Sequence, residues 1–286
     1  MNEEYYNVVK MMDGVYRISS SEQVYMEFFV GKEKALLFDT GYGYGELEKV
    51  VKCITELPLY IVNSHGHLDH VCGNYQFRED IYIHPEDMEL CRQHTSYEVR
   101  LGAVTNAKSS KNFLTGEITN ILPQNFDEQQ YLNGDCGNIR PVEEGHVFEL
   151  GGITLKVYQV PGHTKGSIGL MYEEEKIFYV GDAMNPFMWL FMPEAMAISE
   201  YKKTLERVWE LDFETLVMAH SPITEKKDVI KDYMAAADSA DFEKGIPFET
   251  VLAPDADARI CVKPGYTMQD MGKPGFASII IGRDKL

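Results

Sequence analysis

Residues 61–70 read Ile-Val-Asn-Ser-His-Gly-His-Leu-Asp-His, which puts His65, His67, Asp69 and His70 within six positions directly after an apolar run. Imidazole and carboxylate groups are the usual ligands of zinc and similar divalent ions. Such a density of donors, uncompensated, has few explanations other than a metal site. If the rest of the chain supplies the missing ligands, this cluster fixes both the fold and the reaction class.

Several short apolar runs end abruptly in glycine or polar residues. Ala35–Phe38 precedes Asp39, Leu59–Val62 precedes Asn63, and Ile153–Val160 precedes Pro161-Gly162-His163. Ile177–Val180 precedes Gly181-Asp182, and Leu216–Met218 precedes Ala219-His220. Runs this short, bounded by turn residues, read as buried strands. In each case the chemically interesting residue stands just past the carboxyl end of the strand, where layered α/β folds place their ligands. Between them lie helical patterns. Residues 44–57 space Leu47, Val50, Val51, Ile54 and Leu57 helically and close at Pro58; residues 85–95 open on Pro85. Residues 199–211 follow Ser199 as an N-cap, and residues 225–238 read as a further helix. The alternation predicts an α/β domain.

The remaining donors at strand ends are His163, Asp182 and His220, and they sort with the first cluster into two ligand sets. His65 and His67 alternate about one residue and can point the same way, so one ion takes His65, His67 and His163. The other takes Asp69, His70 and His220, with Asp182 bridging the two. Two ions so held share a water, lower its pKa towards neutrality and polarise a carbonyl or phosphoryl oxygen.

His-x-His-x-Asp-His, a later Pro-Gly-His-Thr-x-Gly-Ser, a Gly-Asp after a strand and a final histidine after another strand resemble the metallo-β-lactamase superfamily. Leu37-Phe38-Asp39-Thr40-Gly41 is similar to that family's early strand, whose aspartate is a buried structural residue. The likeness runs from about Val15 to His220. It implies an αββα sandwich with a dinuclear site at one edge between the sheets, and the ligand roles given above. An aspartate at position 182, where many true zinc β-lactamases carry cysteine, places the pattern closer to glyoxalase II and the lactonases. Ala219-His220-Ser221-Pro222 departs from the more usual Gly-His-Gly-Pro, which bears on loop flexibility more than on ligation.

The expected organisation is a metallo-β-lactamase-like domain over residues 1–235 and a C-terminal extension over 236–286, packed on the same domain. Residues 102–145 show little periodicity and read as an inserted lid-like segment. Asp39 is expected to hydrogen-bond behind a ligand instead of binding metal itself. Phe187, Trp189 and Phe191 follow Asp182 closely and read either as a wall of the substrate pocket or as core or an oligomer contact. His84, His94 and His146 fit no ligand position, Cys72 reads as a buried inert thiol, and Gly41–Gly45 as a tight turn.

A net charge of −18 repels phosphate backbones and anionic membranes, so nucleic-acid and membrane partners are not expected. Five scattered cysteines without Cys-x-x-Cys, and a start that lacks a basic region leading into an apolar one, fit a reducing cytoplasm. The expected activity is hydrolysis of a small ester, thioester, lactone or amide by a metal-bridging hydroxide. Asp69 and Asp182 serve catalysis, and two divalent ions act as cofactors, zinc by default, with iron and manganese also suited. A mononuclear iron persulfide dioxygenase is the alternative, and a phosphodiesterase or nuclease of the same superfamily is a third reading.

Overall fold

The computed structural model describes residues 5–111, 118–250 and 253–286. The chain divides into two compact units, Met1–Leu155 and Lys156–Leu286. Residues 112–117 of the expected lid and residues 251–252 of the expected extension lie outside the described residues.

In the first unit the strands are β1 (Asn7–Met12), β2 (Val15–Ser19), β3 (Tyr25–Val30), β4 (Ala35–Phe38), β5 (Leu59–Val62) and β6 (Asp80–Ile83). The short β7 (Ser110–Lys111) and β8 (Ile118–Thr119), then β9 (Asn138–Pro141) and β10 (Val147–Glu149), follow. Seven strands form one sheet in the order β1-β2-β3-β4-β5-β6-β9. The first four pair antiparallel, and β4, β5, β6 and β9 run parallel. All four residues of β4 are buried, as expected of a parallel strand covered on both faces. Helix α1 (Leu47–Ile54) buries Leu47 and Val51 against Ile18, Phe28, Leu37 and Ile61. The helices α2 (Leu68–Val71), α3 (Met88–His94), α4 (Tyr97–Lys108) and α5 (Glu128–Leu132) complete the unit.

The second unit takes up β11 (Thr154–Gln159), which crosses the division, and continues with β12 (Ile168–Tyr172), β13 (Ile177–Tyr179) and β14 (Phe187–Leu190). After α6 (Ile198–Glu210) come β15 (Thr215–Val217), β16 (Glu225–Lys226) and α7 (Val229–Asp238). The tail supplies β17 (Ile246–Phe248), β18 (Ala258–Val262) and β19 (Ser278–Gly282). Strands β11-β12-β13-β15-β16 are neighbours in that order, and a separate four-stranded sheet runs β14-β19-β18-β17. Helices α6 and α7 and the buried faces of both sheets share one core around Phe178, Tyr201, Leu205, Leu216, Ile230 and Ile279.

Three sequence expectations need correction. Helix α6 is capped by Ala197, and Ser199 lies inside its first turn, where it makes no cap. The pattern over 225–238 splits into β16 and α7, because Glu225 and Lys226 pair with Leu216 and Thr215 before the helix begins. The stretch 102–145 is not devoid of regular structure: it contains most of α4, α5 and the sheet strand β9. Apart from Arg100, α4 buries only Ala103, Val104 and Ala107, while its larger Tyr97 and Leu101 are exposed, so no apolar stripe betrays the helix.

Arg17 and Glu27 face each other across β2 and β3, both buried, with Nε 2.8 Å from Oε1. The guanidinium lies 4.4 Å from the Tyr25 ring centroid. Burial pushes the Glu27 carboxyl up to about 7 against the pull of Arg17, and the nearby charge of Asp39 adds to the rise. A folded-state value above the unfolded one means the native state holds the extra proton, so this group's contribution falls as pH rises from 4.5 to about 7. Replacing Arg17 with Ala strands the buried carboxylate and should cost ~3–5 kcal/mol near neutrality, read by urea denaturation. Glu27→Gln should gain stability relative to the parent between pH 5 and 8, and a constant difference over that range contradicts the assignment.

Candidate metal centre

The parallel register builds the first half of the centre. Phe38 pairs with Val62, so Asp39 and the residues after Val62 emerge side by side at the carboxyl ends of β4 and β5. The Asp39 amide donates to the Val62 carbonyl, 2.8 Å. Asp39 takes a left-handed backbone, φ 68°, which turns its carboxylate towards the ligand segment. Its Oδ1 accepts the Ser64 amide at 2.7 Å, and its Oδ2 accepts the Ser64 hydroxyl at 2.8 Å and His70 Nδ1 at 2.8 Å. Beyond Ser64, His65 and His67 stand with Nε2 and Nδ1 3.0 Å apart. His70 follows on α2, with Nε2 3.6 Å from Asp69 Oδ2. Gly66 between the first two histidines is obligatory: a Cβ there would lie 2.9 Å from Asp87 O and Cys91 N of the neighbouring segment.

The second half repeats the device. Tyr179 of β13 pairs in parallel with Val217 of β15, and Asp182 and His220 each stand three residues further on. The Ala219 amide donates to the Gly181 carbonyl and locks the two ends together. Asp182 Oδ2 lies 3.1 Å from His220 Nε2 and 3.8 Å from His163 Nε2. His163 sits in a turn that α6 clamps: Thr204 Oγ1 donates to the Pro161 carbonyl at 2.7 Å, and Gly162 has no room for a Cβ beside the Tyr201 ring. His163 and Asp182 are buried, whereas His220 is 38% exposed at its side chain.

The donor chemistry fits metal. A carbonyl oxygen only accepts, so His163 Nδ1, 3.3 Å from the Trp189 carbonyl, carries the proton and Nε2 keeps its lone pair. The Asp39 carboxylate likewise fixes the proton on His70 Nδ1. Ser64 gives its hydroxyl proton to Asp39 and therefore accepts from His65 Nδ1, 3.0 Å away, which leaves His65 Nε2 as a donor of electrons. In each case the second ring nitrogen is held by a partner, the arrangement that orients histidine ligands. Nitrogens 3.0 Å apart, as in His65 and His67, need a proton or a cation between them. Tetrahedral zinc at its usual bond lengths sets co-ligand atoms ~3.3 Å apart. The separations within each half, 3.0 to 3.8 Å, bracket that value.

One histidine dismissed on sequence bears on the centre. His94, at the end of α3, stacks on His67 with centroids 5.1 Å apart and planes at 20°, and its Nδ1 accepts the Leu68 amide. Nothing in the sequence spacing signals this, because α3 brings it back over the ligand turn. Beneath that turn lies a buried amide floor. Asn63 Nδ2 and Thr40 Oγ1 both donate to the His70 carbonyl, and Asn74 bonds both Asn63 and Thr40. Cys72 is buried, and burial pushes its thiol up. Phe187 and Trp189 lie half-buried on one face of β14, while Phe191 is buried; Trp189 and Phe191 both pack on Phe248.

The sequence model of the metallo-beta-lactamase superfamily matches residues 22–220, which takes in every donor described above. The chain belongs to the metallo-beta-lactamase superfamily. Among its relatives, the acyl-coenzyme A thioesterase MBLAC2 of Homo sapiens is 25% identical over 225 residues, 73% of this chain and 77% of that one. The hydroxyacylglutathione hydrolase GloC of Haemophilus influenzae is 25% identical over 156 residues, 54% of this chain and 62% of the relative. A metallo-beta-lactamase from Pontibacter korlensis aligns with a TM-score of 0.54 at 17% identity, over 82% of this chain and all of its own. A stereoselective inverting sec-alkylsulfatase from a Pseudomonas species aligns at 0.58 and 12% identity, over 80% of this chain and 42% of its own. These structures show the α/β metallo-β-lactamase fold. The protein is an enzyme of the metallo-hydrolase type within that superfamily, and its histidine and aspartate groups fit metal ions.

Asp39→Asn keeps the shape and tolerates the left-handed backbone, but offers an amide where three donors converge. It should weaken metal retention 10–100-fold, about the usual effect of losing a ligand's outer partner. Competition with a chromophoric chelator measures this, and retention equal to the parent's would refute the role.

Proposed function

We propose that the protein hydrolyses a small thioester with two divalent ions, zinc by default. His65, His67 and His163 hold one ion, and Asp69, His70 and His220 hold the other, with Asp182 reaching both. What supports this reading is the donor chemistry itself: five imidazoles and two carboxylates, His65, His67, Asp69 and His70 clustered in the first unit and His163, Asp182 and His220 in the second. The relatives add the substrate class, since MBLAC2 is named for acyl-coenzyme A thioesters and GloC for hydroxyacylglutathione.

Bound divalent ions supply Lewis acidity, which makes water acidic near neutral pH and polarises a carbonyl oxygen. The chain's own residues do the rest. Asp182 spans His163 and His220 and fixes the spacing between the two ligand sets. Asp69, 18% exposed at its side chain, orients the attacking water and takes its proton on a carboxylate oxygen. A leaving thiolate is a weak base, with a parent thiol pKa of about 8.5, and departs without a general acid. Amines and alkoxides need one, which favours thioesters over amides and alkyl esters here. The aromatic face of Phe187 and Trp189, with Phe191 behind it, forms an apolar wall for the acyl part. His163 ties that wall to the centre through the Trp189 carbonyl.

Metal-loaded protein offered acyl-coenzyme A, acylglutathione, lactone, β-lactam and phosphodiester substrates should release free thiol from the thioesters with the highest kcat/KM. Turnover of the phosphodiester alone, or bound iron with oxygen uptake on a persulfide, overturns the proposal. Asp182→Ala should bind fewer than half the metal equivalents of the parent and lose at least ~10³-fold in turnover, since it removes a ligand and not merely an outer partner. Unchanged metal content with full activity refutes the bridging assignment.

A further inference from the structure

Two cysteines of the first unit meet away from the centre. Cys91 is fully buried on α3, and Cys136 is half-buried in the loop before β9. They share one small core with Val71, Ile83, Met88 and Ile139. Asn74 Nδ2 lies 3.9 Å from Cys91 Sγ and donates to the Cys136 carbonyl at 3.2 Å, which sets the two residues side by side. Contact with the Cys91 thiol pulls the Cys136 thiol down to about 7, with the Arg92 charge assisting, and Cys136 Sγ also points at the Gly137 carbonyl, 3.6 Å away. The same contact, together with burial, pushes the Cys91 thiol up. Cys136 also lines an open cleft of about 450 Å³ together with Arg92, Ser96, Tyr97 and Asn133. The pair therefore sets a half-buried, acidified thiol on an open cleft beside a buried partner thiol, the ingredients of an attacking and a resolving cysteine.

We propose that Cys91 and Cys136 form an oxidation site for hydroperoxides which closes to an intramolecular disulfide and thereby loosens the ligand turn at His65–His70. The Cys136 thiolate attacks the terminal oxygen of ROOH and the O–O bond breaks. Its sulfur becomes a sulfenic acid and the alcohol ROH leaves with a proton from solvent. The Cys91 thiol then attacks that sulfur; an S–S bond forms, and hydroxide leaves and takes up the thiol proton as water. Two thiols lose two electrons, and the peroxide gains them.

The link to the ligand turn is a chain of contacts. Asn74 Nδ2 lies 3.9 Å from Cys91 Sγ, donates to the Cys136 carbonyl at 3.2 Å, and donates to Asn63 Oδ1 at 2.9 Å. Asn63 in turn holds the His70 carbonyl. Helix α3 also carries His94 against His67, and its Cys91 amide is among the atoms that leave Gly66 no room for a Cβ. Drawing the sulfurs to a bond of ~2.05 Å must shift α3 or the Cys136 loop, and both press on this network.

The test uses zinc-loaded protein treated with a stoichiometric organic hydroperoxide and mapped by mass spectrometry without reduction. A Cys91–Cys136 cross-linked peptide two hydrogens lighter is expected. Cys91→Ser should instead accumulate a Cys136 sulfenic acid that dimedone traps, and Cys136→Ser should leave Cys91 unmodified. Chelator competition should show metal held ~10-fold more weakly after oxidation, with Cys136→Ser unaffected by the same treatment. Oxidation of exposed Cys53 with the pair untouched, or a Cys136 adduct that never links to Cys91 in the parent, overturns the site. A cross-linked protein that retains metal as tightly as the reduced form overturns the coupling. None of these measurements depends on the substrate, so they stand apart from the thioester reading.

Discussion

The ligand turn depends on the Asp39 carboxylate and the three hydrogen bonds it accepts. One side chain closes the end of β4 onto the end of β5, sets the protonated nitrogen of His70 directly, and sets that of His65 through the Ser64 hydroxyl. In the proposed assignment these two histidines serve different ions, so a single buried anion governs a tautomer in each of the two proposed ligand sets. Neutral imidazole can present either nitrogen, and an unconstrained pair would sample both. The left-handed backbone at Asp39 is the local strain that this control requires.

Strand order then does the coarse positioning. In each unit two parallel strands end level with one another, and His65, Asp182 and His220 each stand three residues beyond a paired end. A hydrogen-bonded parallel pair tolerates little slippage when both strands are buried, because a one-residue shift would turn every side chain to the opposite face. The core residues of β4, β5, β13 and β15 are thus part of the metal chemistry, although none of them is polar.

Strand ends and ligand types were legible in the sequence because they are local properties. The run Leu59–Val62 is apolar throughout and stops at a polar residue, and β5 has the same bounds. The helix beginning at Pro85 was equally plain, although its first turn is a 3₁₀ helix and α3 starts at Met88. What escaped were features created by distant contacts. His94 matters because α3 folds back over His67, a relation between residues 27 positions apart that no spacing rule encodes. Helix α4 escaped because its core-facing side uses alanine and a buried arginine whose guanidinium bonds the Thr95, Cys72 and Asp135 carbonyls. A polar anchor of that kind erases the apolar stripe by which a helix is recognised.

The Arg17–Glu27 pair extends the same logic one layer deeper. Glu27 pairs with Phe38 across β3 and β4, next to Asp39, and the charge of Asp39 contributes to the raised Glu27 carboxyl. The two carboxylates repel in this buried setting, and Arg17 offsets the charge of Glu27 while stacking on Tyr25. An apolar trio in its place would pack as well and cost less to desolvate. It would, however, remove the Glu27 carboxyl, the buried group whose proton answers to the charge of Asp39. On this view the buried ion pair ties the protonation of the sheet interior to the anion that orders the ligand turn, a coupling that an apolar core would lack.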